Sequence, residues 1–207
     1  MTDSYISLPV LCGSAYLLNF AGMLVLSTSG ATIKSMSKLI PSERKAQYLP
    51  LVLARFTAMS SLLDFFTTPI IGRLSDLYGR KPLLIVTMII SSVCRYFRGK
   101  SKSLISYFIY GAVGMVSGSA FFTTINASLS DVYTDKKSLA YANAKLGLFR
   151  GFSFIITPVL LGNLVGKNIT LAFNVSSTLT LSAGIIMAMF FRETHTVSKK
   201  QGLSESS

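Results

Sequence analysis

The chain has 207 residues, half of them apolar, and only 14% carry charge, where a soluble domain has roughly 25%. Mean hydropathy is +0.54, and a soluble fold this apolar lacks the polar groups to cover its surface; the class is integral membrane protein. The net charge of +12 does not make nucleic acid a partner, because the basic residues lie in short clusters between apolar runs, the distribution of loops that face anionic headgroups.

A spanning helix needs about 20 mostly apolar residues, and six segments are candidates. The first is 8–27. It is not a signal peptide: Asp3 stands where a positive n-region belongs, and the stretch from Leu8 is too long for an h-region. The second is 49–71. The third, 82–96, is short and runs into the basic cluster Arg95, Arg98, Lys100 and Lys102. The fourth, 104–129, carries Gly111, Gly114, Gly118 and Ala120. Small residues of this kind let helices approach closely. On a cavity wall, Tyr107, Tyr110 and Asn126 of the same segment would be its polar contacts. The fifth is 139–165 and the sixth 170–191. Residues 1–195 then form one six-span domain, and 196–207 a polar, disordered tail.

An even count of spans places both termini on one side. The excess of Lys and Arg in loops, which normally assigns the sides, is balanced here. Arg73, Arg80, Lys81, Lys136, Lys137, Arg192, Lys199 and Lys200 fall on one side. Lys34, Lys38, Arg44, Lys45, Arg98, Lys100, Lys102 and Lys167 fall on the other.

An internal echo links the ends of the second and fifth spans. Residues 68–74 read TPIIGRL and residues 157–164 read TPVLLGNL, each followed by Gly and a base, Gly79-Arg80 and Gly166-Lys167. The two spans run in opposite directions, so the echo has the form of two inverted three-helix repeats. Pro69 and Pro158 occupy matching places, where a proline frees a carbonyl and bends the helix.

Few residues are candidates for chemistry inside the membrane. Asp64 lies about 12 Å below the face marked by Gly72, and Arg150 about 16 Å below it, at 1.5 Å per residue. An unpaired charge there costs at least roughly 2.5–3.5 kcal/mol, so each requires a partner or a wet cavity; the similar depths allow a direct pair. Lys145, nearer the face, can snorkel. Asn19 is a lone amide in the first span. Cys12 and Cys94 fall inside apolar runs without metal-ligand spacing and read as buried small residues. His195 lies in the tail. Asn126, Asn168 and Asn174 begin weak sequons. With no Gly-rich phosphate loop, metal cluster or Ser/His/Asp set, no enzyme, metal or cofactor is expected.

The densest charge falls in GRLSDLYGRKP, residues 72–82, between the second and third spans. Physically it is a tight anchoring turn at a membrane face. It also resembles the signature loop of the major facilitator superfamily, matching at Gly72, Leu74, Asp76, Gly79, Arg80 and Lys81 and departing at Leu77. NASLSDVYTDKKSLAYA is similar to that family's end of span four, GFSFIITPVLLGNL to its fifth span with Thr157 in place of the usual Gly, and FRETH to the end of span six. The resemblance is nearest the drug- and tetracycline-efflux-like branches and covers about residues 49–195. The family's proton-antiport pattern in span four has an Arg; here Tyr110 or Ala112 occupies the place.

The resemblance implies an all-α fold, half of a major facilitator domain, with the 72–81 loop and both termini cytoplasmic. It implies that Arg80 pairs with Asp131 and that Asp76 caps a helix of a second six-helix half. The implied function is secondary transport of a small solute by alternating access in the lipid bilayer. On this reading the chain is one half or a truncated form of a transporter, completed by a homo- or hetero-dimeric second half. The alternative is a non-transporting membrane interaction or regulatory remnant.

Overall fold

The structure, a computed structural model, describes residues 3–36, 42–165 and 169–191. These form six α-helices: α1 Asp3–Met36, α2 Ser42–Tyr78, α3 Arg80–Lys100, α4 Leu104–Val132, α5 Lys136–Val165 and α6 Ile169–Phe190. Five contain stretches long and apolar enough to cross a membrane: Leu8–Ile33, Pro50–Tyr78, Arg80–Lys100, Leu104–Val132 and Ile169–Phe190. The described part of α5 is less apolar and carries Lys136, Lys137, Lys145 and Arg150. Helix α2 runs unbroken through Pro69. The tail, with His195, and the loop residues Gly166, Lys167 and Asn168 lie outside the described residues.

The helices are sorted by polarity in the sense a bilayer requires. Along α6 the buried stripe is Phe173, Ser176, Ser177, Thr180, Ala183, Gly184 and Met187, while Leu171, Val175, Leu181, Ile185 and Met189 are exposed. Along α3, Leu84, Thr87, Met88, Ser91 and Ser92 are buried, and Val86, Ile89, Ile90 and Val93 are exposed. Many large apolar side chains face outward, and the hydroxylated and small ones gather between helices, because lipid leaves no hydrophobic force to drive helices together. Most buried hydroxyls bond a carbonyl of their own helix, as Thr28 does to Leu24 (3.0 Å) and Thr180 to Ser176 (2.8 Å).

Helix α3 packs on α4 and α6, α1 on α5 and α6, and α2 on α4. Side-chain pairings give the directions. Ser117 on α4 donates to the Thr87 carbonyl at 2.6 Å, while Arg98 lies over the ring of Tyr107, so α3 and α4 are antiparallel. Phe56 packs on Phe108, and Ser119 donates to Asp64, so α2 and α4 are parallel.

The α3–α6 seam is reciprocal. Ser92 Oγ donates to the Ser177 carbonyl at 2.9 Å, and Ser177 Oγ donates to the Ser92 carbonyl at 2.9 Å. On one side of this clasp, Gly99 lies directly against Phe173; on the other, Gly184 lies against Met88. Residues 85 apart exchange roles: Ser92 with Ser177, Gly99 with Gly184, Met88 with Phe173. The sequences MIISSVCRYFRG and FNVSSTLTLSAG share the spacing that produces this, two serines and then a glycine after six residues.

Two apolar clusters hold the bundle at its ends. Leu11, Leu84, Met88, Phe121, Ile125, Leu129, Leu146 and Met187 pack near the α2–α3 turn. Val25, Ile33, Tyr107 and Phe173 pack near the opposite end. Asp135 caps α5, accepting from the Ser138 backbone N–H and hydroxyl at 3.1 Å each. These bonds, the backbone one first, hold its carboxyl below the ordinary 3.8. The cap is therefore complete above that value and is lost as pH falls through the lower folded one.

Substituting Gly99→Ala places a Cβ against the Cβ of Phe173, which no rotamer change relieves; thermal unfolding in detergent should show a loss of about 1–3 kcal/mol. Ser92→Ala and Ser177→Ala should each cost about 0.6 kcal/mol and couple in a double-mutant cycle.

Candidate functional site

The turn between α2 and α3 is made by Gly79, the one described residue with positive φ, at 95°. Its N–H donates to the Ser75 carbonyl at 3.2 Å, and α3 starts at the next residue. An L side chain is strained there, so glycine is what allows two helices to abut with no intervening loop. The abrupt start turns Arg80 inward, where it is only 7% exposed. Arg80 Nε donates to Asp131 Oδ2 at the end of α4 (2.9 Å), and Nη1 donates to Ser75 Oγ (2.6 Å) and meets Asp76 Oδ1 (2.7 Å). One guanidinium thus ties the C-terminal ends of α2 and α4 to the start of α3, with charge-assisted bonds of the stronger kind. Asp76 remains well exposed. Gly72 lies within α2, and a Cβ there meets nothing.

A cavity of about 350 Å³ opens between α1, α2, α3 and α4. Its lining includes Leu18, Asn19, Gly22 and Met23 from α1, and Leu53, Phe56 and Thr57 from α2. Helix α3 contributes Arg95 and Arg98, and α4 contributes Tyr110, Gly111, Gly114, Met115, Gly118 and Phe122. In α2 and α3 these residues fall in the halves remote from the Arg80 turn; in α4 they run from Tyr110 past the helix middle to Phe122, which also packs against the first apolar cluster.

Two of the lining residues carry the cavity's charge. Arg95 Nη1 donates to Ser176 Oγ at 2.9 Å, and Nη2 approaches the Leu18 carbonyl at 3.5 Å. Ser176 is oriented in turn by donating to the Ala21 carbonyl at 2.6 Å. The guanidinium lies on Gly22, whose Cβ would stand 3.6 Å away. Arg98 lies 4.2 Å over the Tyr107 ring and 5.9 Å from the Phe56 centroid. Its Nε is buried without a hydrogen-bond partner among the described residues. Gly111 makes room for this arrangement, since a Cβ there would come within 2.9 Å of Phe56 and 3.0 Å of Arg98. Among the described residues the ion pairs within 4.0 Å are Arg80 with Asp76 and Asp131; neither cavity arginine has an acidic partner.

This corrects the reading of the third span as a short one that ends at 96, with Arg98, Lys100 and Lys102 in the loop beyond it. Helix α3 continues to Lys100; Arg95 and Arg98 line a cavity, and Arg98 does not belong in a tally of loop charges. Hydropathy ends a span at its first charges, whereas a guanidinium is tolerated within one where it lines a cavity or finds partners. The available sequence signal was spacing: Ser91, Ser92, Arg95, Arg98 and Gly99 recur at three and four residues, one helix face.

The other predicted residues divide. Asn19 and Tyr110 line the cavity. Tyr107 is fully buried in the second apolar cluster, behind Arg98, and contacts Phe173 edge-on. Asp64 and Arg150 do not pair. Ser119 Oγ donates to Asp64 Oδ1, and Arg150 lies 4.0 Å over the Phe122 ring, so both meet α4. Asn126 is exposed one turn further along α4. Met115, Gly118, Ser119, Phe122 and Asn126 share one face of that helix, at the spacing of its turns. Lys81 follows Arg80 in the first turn of α3 and is half-buried. Lys145 lies over its own helix neighbour Tyr141 at 4.8 Å. Both cysteines are free and buried, and Asn126 and Asn174 lie within helices α4 and α6.

The sequence model of the Major Facilitator Superfamily matches residues 15–206. The chain belongs to that superfamily. It is 24% identical over 170 residues to Multidrug resistance protein 2 of Bacillus subtilis (strain 168), covering 80% of this chain and 42% of that protein. It is 27% identical over 159 residues to the class H tetracycline resistance protein of Pasteurella multocida, covering 77% of this chain and 38% of that protein. The crystal structure of the human organic anion transporter MFSD10 (TETRAN) superposes with a TM-score of 0.79 at 16% identity, over 92% of this chain and 48% of that one. This superfamily chain is a multi-pass membrane protein spanning less than half the length of these relatives.

Asp131→Asn should destabilise the bundle by about 1.5–3 kcal/mol, the worth of a charged hydrogen bond, and Gly79→Ala by about 1–3 kcal/mol through strain. Thermal unfolding in detergent checks both.

Proposed function

We propose that this six-helix bundle is one wall of a secondary transporter that moves a small solute by alternating access. The observation that carries the reading is the open face of α4. Cavity residues Met115, Gly118 and Phe122 and the contacts of Asp64 and Arg150 lie on it together, at a depth where polar groups face protein or water rather than lipid. The wall is completed by a second six-helix half, on the same polypeptide or another, and the solute sits between the halves.

The gate is the 72–81 segment, the helix ends that meet at Gly79, and it lies on the cytoplasmic side with both termini. Arg80 holds Asp131 and Asp76, and the exposed carboxylate of Asp76 engages a helix end of the opposing half. Rocking of the two bundles makes and breaks that contact. The reciprocal α3–α6 seam and the echo of TPIIG in TPVLLG support an origin of the bundle as two inverted three-helix repeats.

The test is flux in proteoliposomes of the assembled protein, using a panel of small organic solutes of each charge. Protein-dependent movement of one of them is expected; movement of none by folded protein favours the interaction reading. Asp76→Asn should slow flux about tenfold or more, the rate equivalent of about 1.4 kcal/mol, and unchanged flux would remove Asp76 from the gate.

A further inference from the structure

The two cavity arginines have no charged counterpart across the reciprocal seam. Across the reciprocal seam, the position 85 residues after Arg95 is Thr180, and that after Arg98 is Ala183. Both are fully buried, and the same seam closes around them without a cation. The bundle could carry a neutral residue at the places on α3 and instead carries two guanidinium groups.

Those groups are arranged as a receptor. Arg95 is held by Ser176 and by the Leu18 carbonyl, and Ser176 by the Ala21 carbonyl. Arg98 is held by the faces of two aromatic rings, and its buried Nε is without a hydrogen-bond partner among the described residues. Both are oriented, and neither is neutralised by a carboxylate among the described residues. Around them the cavity is apolar, with Leu18, Met23, Leu53, Phe56, Met115 and Phe122 on its walls. Its volume of about 350 Å³ suits one small organic molecule. Guanidinium forks match carboxylate, sulfonate and phosphate oxygens, and apolar walls match a carbon body.

We infer that the α1–α4 cavity binds an organic anion with an apolar body, its acidic group between Arg95 and Arg98. The inference names the solute class for the transport reading above, and binding is measured without flux so that the two stand or fall separately. An anionic lipid headgroup offers the same chemistry; a freely soluble anion is the ligand assigned here.

Equilibrium dialysis against the protein in phosphatidylcholine nanodiscs, with empty discs subtracted, tests it on three probes of one body: naphthalene-2-sulfonate, 2-naphthol and 2-naphthyltrimethylammonium. The sulfonate should bind at least tenfold more tightly than either other probe. Arg95→Thr, which copies the pseudo-equivalent residue, and Arg98→Gln should each weaken sulfonate binding about tenfold or more and leave 2-naphthol binding unchanged, which also reports an intact fold. Arg95→Lys should recover part of the loss. Equal binding of the three probes, or sulfonate affinity indifferent to both substitutions, overturns the assignment. Competitive displacement of the sulfonate when the discs contain phosphatidylglycerol assigns the site to lipid and overturns it as a solute site. Sulfonate binding without sulfonate flux would leave this site standing and count against transport alone.

Discussion

The clasp of Ser92 and Ser177 sets the rotation of α3. In a bilayer, lipid tails solvate apolar side chains as well as another helix does, so helices associate where small residues allow contact and hydroxyls find carbonyls. Helix α3 meets both conditions against α6, with Gly99 on Phe173, Met88 on Gly184 and the two serines between. Once that face is committed, Arg95, one turn beyond Ser92, reaches between α1 and α6 to Leu18 and Ser176. Arg98, one turn further, reaches α4 at Gly111 and Tyr107. The cavity's electrostatics follow from a contact made by serine, glycine and methionine.

The opposite end of α3 is held differently. At the Arg80 turn, polar side chains are near water, and the bundle uses charge instead of close packing. A single guanidinium there has two carboxylates and a hydroxyl around it. Removing one partner leaves the others facing a poorly solvated cation, which is why such a cluster is costly to break and suited to holding helix ends in register. One helix thus begins on a neutralised arginine and ends near two arginines without acidic partners among the described residues.

The seam is close to symmetric and the chemistry is not. Residues 85 apart exchange packing roles, yet the positions matching Arg95 and Arg98 hold Thr180 and Ala183. The residues that lock two helices together can be alike while those that face a cavity differ, because the two sets occupy different faces of the same helix.

The sequence alone determined the membrane class, the order of six apolar segments and a charged junction between the second and third, since each depends on residue type and local spacing; that residues 72–78 stay helical and the turn shrinks to Gly79 it did not determine. The pairing of Arg80 with Asp131 was legible only through family resemblance; nothing in the spacing of two residues 51 apart requires it. Position along the helix was legible too: Asp64 and Arg150 lie within their helices rather than at the ends. Azimuth was not. Which way a side chain points around its helix, and what stands opposite, is set by neighbours that are remote in sequence. Tertiary structure therefore decided that Asp64 and Arg150 approach α4 without meeting, that Tyr107 lies behind the cavity wall, that Arg95 faces a cavity, and that Arg98 belongs to that cavity rather than a loop. A hydropathy window counts charges along one segment, while the partners that make a charge tolerable in a membrane come from the helices around it.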